Sequence, residues 1–146
     1  MAQSALVRRA PGGRDRARRY GGSFSLILVD LGDMKTINAQ HRQVIGDQIL
    51  AWVGRLLNEH TRASDVAFHY EEDVFTILCP WTSSDVANKV AGRLVTLVAE
   101  AKPPVEADIA VTLAAGTATC PDHAREGQAL YHQAQRALLA MRASGR

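Results

Sequence analysis

Cysteine is scarce in this chain, and its two copies, Cys79 and Cys120, show neither metal-ligand spacing nor a CxxC pairing. Each lies in or ends an apolar run, the setting of a reduced, buried thiol in a cytoplasmic protein. No run of 18 apolar residues occurs, so no membrane-spanning helix is expected. The opening MAQSALVRRAPGG lacks the apolar core of a secretory signal. An excess of either charge is also nearly absent: 17 basic against 15 acidic residues leave a net +2. That balance gives no reason to expect nucleic acid as a partner. His41, His60, His123 and His132 have no metal-ligand spacing. There is no internal repeat and no sign of a second domain.

What the chain does have is enough length, 146 residues, and enough apolar content, 47%, for one domain with a real core. Residues 1–22 stand apart. Arg8, Arg9, Arg14, Arg16, Arg18 and Arg19 face the single acid Asp15, with glycine pairs near both ends. Such a segment reads as a basic, flexible leader without interleaved aromatics. The folded domain is expected over 23–146.

Strand and helix patterns alternate from there. FSLILVD (24–30) is a continuous apolar run, as in a central strand buried on both faces. Residues 44–60 place Ile45, Ile49, Val53 and Leu56 at helical spacing. VAFHY (66–70) and VFTILCP (74–80) predict a tight hairpin across Glu71, Glu72 and Asp73. Thr82 or Ser83 can cap the next helix, with Val86, Val90, Leu94 and Leu97 on one face. Pro103 and Pro104 break the chain before a strand region at 109–120. A final helix aligns Leu130, Ala134, Ala137, Leu138 and Met141. Trp52 and Trp81 are expected to serve packing, and His69 to be a surface side chain of the hairpin. The order β-α-β-β-α-β-α predicts an α+β sandwich in the broad α/β class. Its central mixed sheet is flanked by helices and related to the ferredoxin-like arrangement.

Several residues in fixed order resemble the GGDEF family, the diguanylate cyclases, across essentially the whole folded region. Asp30, Lys35, Asn38, Gly46 and Asp47 follow the family's first block. Glu71-Glu72-Asp73-Val74-Phe75 falls on its signature hairpin, Gly-Gly-Asp/Glu-Glu-Phe. Ala134-Gln135, Ala137-Leu138-Leu139, Met141-Arg142 and Gly145-Arg146 fall on its closing block. The resemblance implies the nucleotide-cyclase palm fold. It also implies a reaction in which two GTP molecules, one per subunit of a homodimer, are joined through metal-assisted phosphoryl transfer.

By the same resemblance the catalytic hairpin has been rebuilt. Asp30 and Asp73 match the family's two metal carboxylates. Glu71 and Glu72, however, replace the glycines that let backbone approach phosphate, and bring negative charge to a triphosphate's place. Val74 replaces a second acid and can neither take a proton nor hold a metal. Gly32 departs from another acid of the first block, and Arg42 and Gln43 stand where Gly-His is usual. No catalytic residues and no resident metal are expected, and magnesium only if a vestigial GTP site is used. Asn38 and Asp47 match guanine readers, Arg142 replaces a phosphate-holding lysine and Arg146 matches a family arginine. Together they would form that vestigial guanine/phosphate site.

A second family site, which binds the product as an inhibitor, is better preserved. Its Arg-x-x-Asp signature falls on Arg62-Ala63-Ser64-Asp65, five residues before Glu71. Its further arginine falls on Arg93, in Ala91-Gly92-Arg93-Leu94. Arginine can fork onto the O6/N7 edge of guanine or pair with phosphate, and aspartate can accept from the N1 and N2 hydrogens. The resemblance therefore implies an inactive domain that binds cyclic di-GMP through Arg62, Asp65 and Arg93 and signals to a partner protein or neighbouring domain. Homodimerisation stays open. The alternatives are a protein-interaction scaffold without nucleotide, or a GTP-binding regulator without cyclase activity.

Overall fold

Every residue of the first strand, Phe24–Leu31 (β1), is buried, because each side of it meets a different core. Ile27, Val29 and Leu31 point into a cluster with Ile49, Val53, Leu57, Leu94 and Val98. Phe24, Leu26 and Leu28 point into a second cluster with Leu130, Ala134 and Leu138. The side chains alternate between faces along a strand, so a run with no polar alternation demands helices on both sides. The computed structural model describes residues 23–145 apart from 33, 72 and 107. The basic segment 1–22 lies outside the described residues.

The elements after β1 are α1 (Met34–Gln40), α2 (Gln43–Glu59), β2 (Val66–Glu71), β3 (Val74–Pro80), α3 (Ser84–Glu100), β4 (Leu113–Cys120) and α4 (Gly127–Gly145). The sheet runs β2-β3-β1-β4. All three adjacent pairs are antiparallel. The fold is therefore α+β, and the expected mixed sheet is corrected to a wholly antiparallel one. Strands that run the same way, β1 with β2 and β3 with β4, are never neighbours, because β3 and β1 are interposed.

Other departures follow from local geometry. The short helix α1 adds a turn before α2 that periodicity did not suggest. Strand β4 begins at Leu113 rather than 109, since its partner β1 ends at Leu31, opposite Leu113. Helix α3 buries Ala87, Ala91, Leu94 and Val98, not the larger Val86 and Val90; small residues let its axis approach the sheet. Val86 is left 45% exposed. Trp52 is buried as expected, whereas Trp81 is exposed. His69 is at the surface, its ring stacked on Phe75 at 5.0 Å.

Helix α4 touches the sheet at Gly116. A Cβ there would stand 2.3 Å from the Leu138 nitrogen and 2.4 Å from the Ala134 carbonyl oxygen. Glycine is thus what lets α4 backbone rest on β4, and one turn beyond Leu138 the helix carries Arg142.

Candidate functional site

The two ends of the β1–β3 ladder hold most of the residues singled out above. Asp30 pairs with Val74 at one end, and Phe24 with Pro80 at the other. Six residues of strand separate them, about 20 Å.

At the hairpin end, Asp30 has the strand parity of Leu26 and Leu28, so it emerges on the α4 side. Its side chain is 3% exposed, and Arg142 reaches it with Nε 3.2 Å from Oδ2. Asp73 is adjacent, its carbonyl accepting from the Leu31 N–H at 2.9 Å. Among the described residues no three metal-ligating side chains cluster. A metal ion would need Asp30, yet a guanidinium from this chain's own helix neutralises it, and apolar Val74 stands opposite. The residues present do not fit a resident metal pair.

The residues of the suspected guanine site meet where α1 crosses the start of α2. The Asn38 side-chain oxygen lies against Gly46, so close that an added Cβ would come within 2.0 Å of it. That oxygen is buried without a hydrogen-bond partner. Asp47 is exposed and accepts from the Gln43 amide at 3.2 Å. The second carboxylate oxygen, Oδ2, takes no part in that bond. Arg146 lies outside the described residues, as does residue 72 of the hairpin.

At the opposite end, the turn after α2 is closed by Asp65. Its Oδ2 accepts the Arg62 backbone N–H at 2.9 Å, and its Oδ1 accepts Arg62 Nη2 at 3.2 Å. Asp65 is only 4% exposed while Arg62 is 52% exposed. Arg62 Nη2 also donates to the Pro80 carbonyl at 2.9 Å and to the Thr82 hydroxyl. That hydroxyl in turn donates to the Pro80 carbonyl at 3.0 Å. All these side-chain bonds use one guanidinium nitrogen, leaving Nε and Nη1 outside them. Charge-assisted bonds of this kind fix a side chain's direction.

The corner 80–82 that receives Arg62 is itself pinned. Thr82 N–H donates to the Ser23 carbonyl at 3.0 Å, and buried Ser25 donates to the Thr82 carbonyl at 2.7 Å. Between them Trp81 takes φ 50, a left-handed conformation that costs a residue with a Cβ about 1–2 kcal/mol. Helix capping falls to Ser83, whose Oγ accepts from the Val86 N–H at 3.3 Å, which releases the Thr82 hydroxyl for Arg62. Pro80, Trp81 and Thr82 have no signature as site residues in the sequence, because their role depends on an arginine 18 to 20 positions away.

Arg93 is the tenth residue of α3, about 14 Å along the axis from the helix start. It lines an open groove with Val90 and Leu97 and makes no hydrogen bond or ion pair with Arg62 or Asp65. The three matched residues are therefore two parts: a fixed Arg62–Asp65 unit and a separate cation on the adjoining helix. Beside them, burial pushes the Cys79 thiol up to about 12, with Asp65 adding to the rise and Arg62 opposing it.

The comparisons with known proteins agree with this architecture. "Diguanylate cyclase DgcS" of Shewanella oneidensis is 30% identical over 131 residues, 90% of this chain but 43% of its own length. The chain spans less than half the length of the first curated relatives it matches. A sensory box/GGDEF family protein from Caulobacter crescentus superposes with TM-score 0.89 at 29% identity, covering 98% of this chain and 93% of that one. The GGDEF domain of DgcB from Caulobacter crescentus, solved in complex with c-di-GMP, shares the fold with TM-score 0.88 at 20% identity, covering 99% and 86%. Among the described residues no helix is long and apolar enough to cross a membrane. The sequence profile described as "Diguanylate cyclase, GGDEF domain" matches residues 10–146, and the chain belongs to the GGDEF family.

Proposed function

We propose that this chain is a GGDEF domain that no longer makes cyclic di-GMP and instead binds it, using Arg62 and Arg93 as grips. The observation that carries this reading is the fixed, half-exposed Arg62 guanidinium, held on one nitrogen by Asp65, Pro80 and Thr82. Pre-orientation lowers the entropy lost on binding. Nε and Nη1, on separate edges of the guanidinium, remain as single donors to a guanine acceptor or a phosphate oxygen. Asp65, with both oxygens engaged inside the turn, serves as the positioning residue for Arg62. Arg93 supplies a second positive charge on the adjoining helix. The DgcB domain in complex with c-di-GMP supports the choice of ligand, since this fold accommodates it.

Loss of catalysis is read from the other end of the ladder. Arg142 neutralises Asp30 where a metal would be required, Val74 removes an acid, and Gln43 engages Asp47. A partner protein or neighbouring domain would receive the signal.

Calorimetric titration of the purified chain with cyclic di-GMP, beside Arg62→Ala and beside GTP with magnesium, tests the reading. Micromolar cyclic di-GMP binding that disappears in the variant, with no pyrophosphate released from GTP, is the expected result. Turnover of GTP would overturn the loss of catalysis. Silence from a folded protein toward cyclic di-GMP would leave the scaffold alternative.

A further inference from the structure

The corner that anchors Arg62 also displays an aromatic ring. Trp81 lies between Pro80 and Thr82, both of which bond the Arg62 guanidinium, and it is 51% exposed. Its φ of 50 is a conformation suited to glycine. Strain of this kind persists where the surroundings over-determine the backbone. Here they do: Thr82 is fixed through its N–H by Ser23, through its carbonyl by Ser25 and through its hydroxyl by Arg62. This tryptophan is held in a glycine-like conformation with half its surface in water. The other tryptophan, Trp52, is 8% exposed and sits in the core.

We infer that Trp81 is a base-stacking platform of the Arg62 site, offering its indole face to a guanine whose edge Arg62 grips. This deepens the proposed binding of cyclic di-GMP and rests on it. The chemistry is complementary: stacking takes up the base's π-face, and a guanidinium N–H takes up an in-plane acceptor, O6 or N7. The two contacts use different surfaces of one base, so they can be made together. Trp81 lies between the two residues that bond Arg62, on the same pinned corner.

The test uses the whole chain, cyclic di-GMP, and the variants Trp81→Gly, Trp81→Phe and Arg62→Ala. Calorimetry supplies the affinities and indole emission supplies the stacking signal. In the parent, emission should be quenched in step with binding. Trp81→Gly should bind about tenfold more weakly and remain folded, because glycine suits this backbone. Trp81→Phe should stay within about threefold of the parent but lose the quenching, Trp52 being buried. Unchanged affinity in Trp81→Gly and unquenched parent emission, with Arg62→Ala still inactive, would overturn the platform and leave the receptor reading standing. No binding by the folded parent would overturn both. Weakening in Trp81→Gly but not in Arg62→Ala would support stacking and overturn the Arg62 grip.

Discussion

The two ends of the β1–β3 ladder each pair a buried carboxylate with a half-exposed arginine, but they anchor that arginine to different degrees. At the hairpin end, Arg142 donates its Nε to Asp30, a carboxylate 3% exposed, and is itself 48% exposed. At the other end, Asp65 is equally buried and Arg62 equally half exposed, but Arg62 is tied to the Pro80 carbonyl and the Thr82 hydroxyl as well. Each end pairs an arginine with a buried carboxylate; the second adds two bonds that fix the direction of the guanidinium. The lesson is that retention of charged residue types says little until their partners are known. Asp30 and Arg142 both match family positions, yet here they satisfy each other.

That contrast can be broken from either end. The largest effect is expected from Gly116→Ala, which thrusts a methyl into α4 backbone at 2.3 Å. Neither backbone can yield as a side-chain tip would, so denaturant unfolding should show a loss of about 3 kcal/mol. The displaced helix should also withdraw Arg142 from Asp30. Arg142→Ala should cost about 1–2 kcal/mol, less than a fully buried pair because the arginine is 48% exposed. If its thermal midpoint matches the parent's, the hairpin end is not closed by this ion pair.

Cys79 gives a smaller, pH-dependent effect. Its thiol is raised from 9.0 to about 12 in the folded chain, so the native state keeps a proton that the unfolded state releases. The associated stability is complete below pH 9 and declines as pH rises toward 12. By pH 10 the decline should be on the order of 1 kcal/mol. Cys79→Ala should remove that slope between pH 8 and 10, whatever its constant packing cost. The smallest effect is expected from Thr82→Val, which deletes the hydroxyl shared by Arg62 and the Pro80 carbonyl. About 1 kcal/mol of stability should go, and cyclic di-GMP affinity should fall several-fold as Arg62 loses its orientation. A Thr82→Val protein that binds as tightly as the parent would show that Arg62 needs no such anchor.

Much of the fold was legible because its signals are local. The run Phe24–Asp30 could be nothing but a strand covered on both sides, and the Val66–Pro80 hairpin was bounded by its acidic turn. In α3 the expected Leu94 is buried and Val90 packs partly against the core, Val86 is exposed, and the close approach of helix to sheet gives the other deep positions to Ala87 and Ala91. Strand β4 looked longer than it is, since apolar residues 109–112 carry strand-like character but have no β1 residue to pair with. Trp81 was expected to pack because tryptophan usually does. Its exposure follows from the pinned corner at the strand end.

The sequence by itself determined the element types, the two-sided burial of β1 and the ordered residues that mark the family, since periodicity and residue chemistry act over short distances. Only the tertiary structure decided the partners. Arg142 meets Asp30 because Gly116 admits α4 to the sheet, and Arg62 meets Pro80 and Thr82 because β3 returns beside the end of α2. Hydrogen bonds and ion pairs act over a few ångströms of space regardless of separation along the chain. Which charge is neutralised and which is presented is therefore fixed by where the backbone brings them.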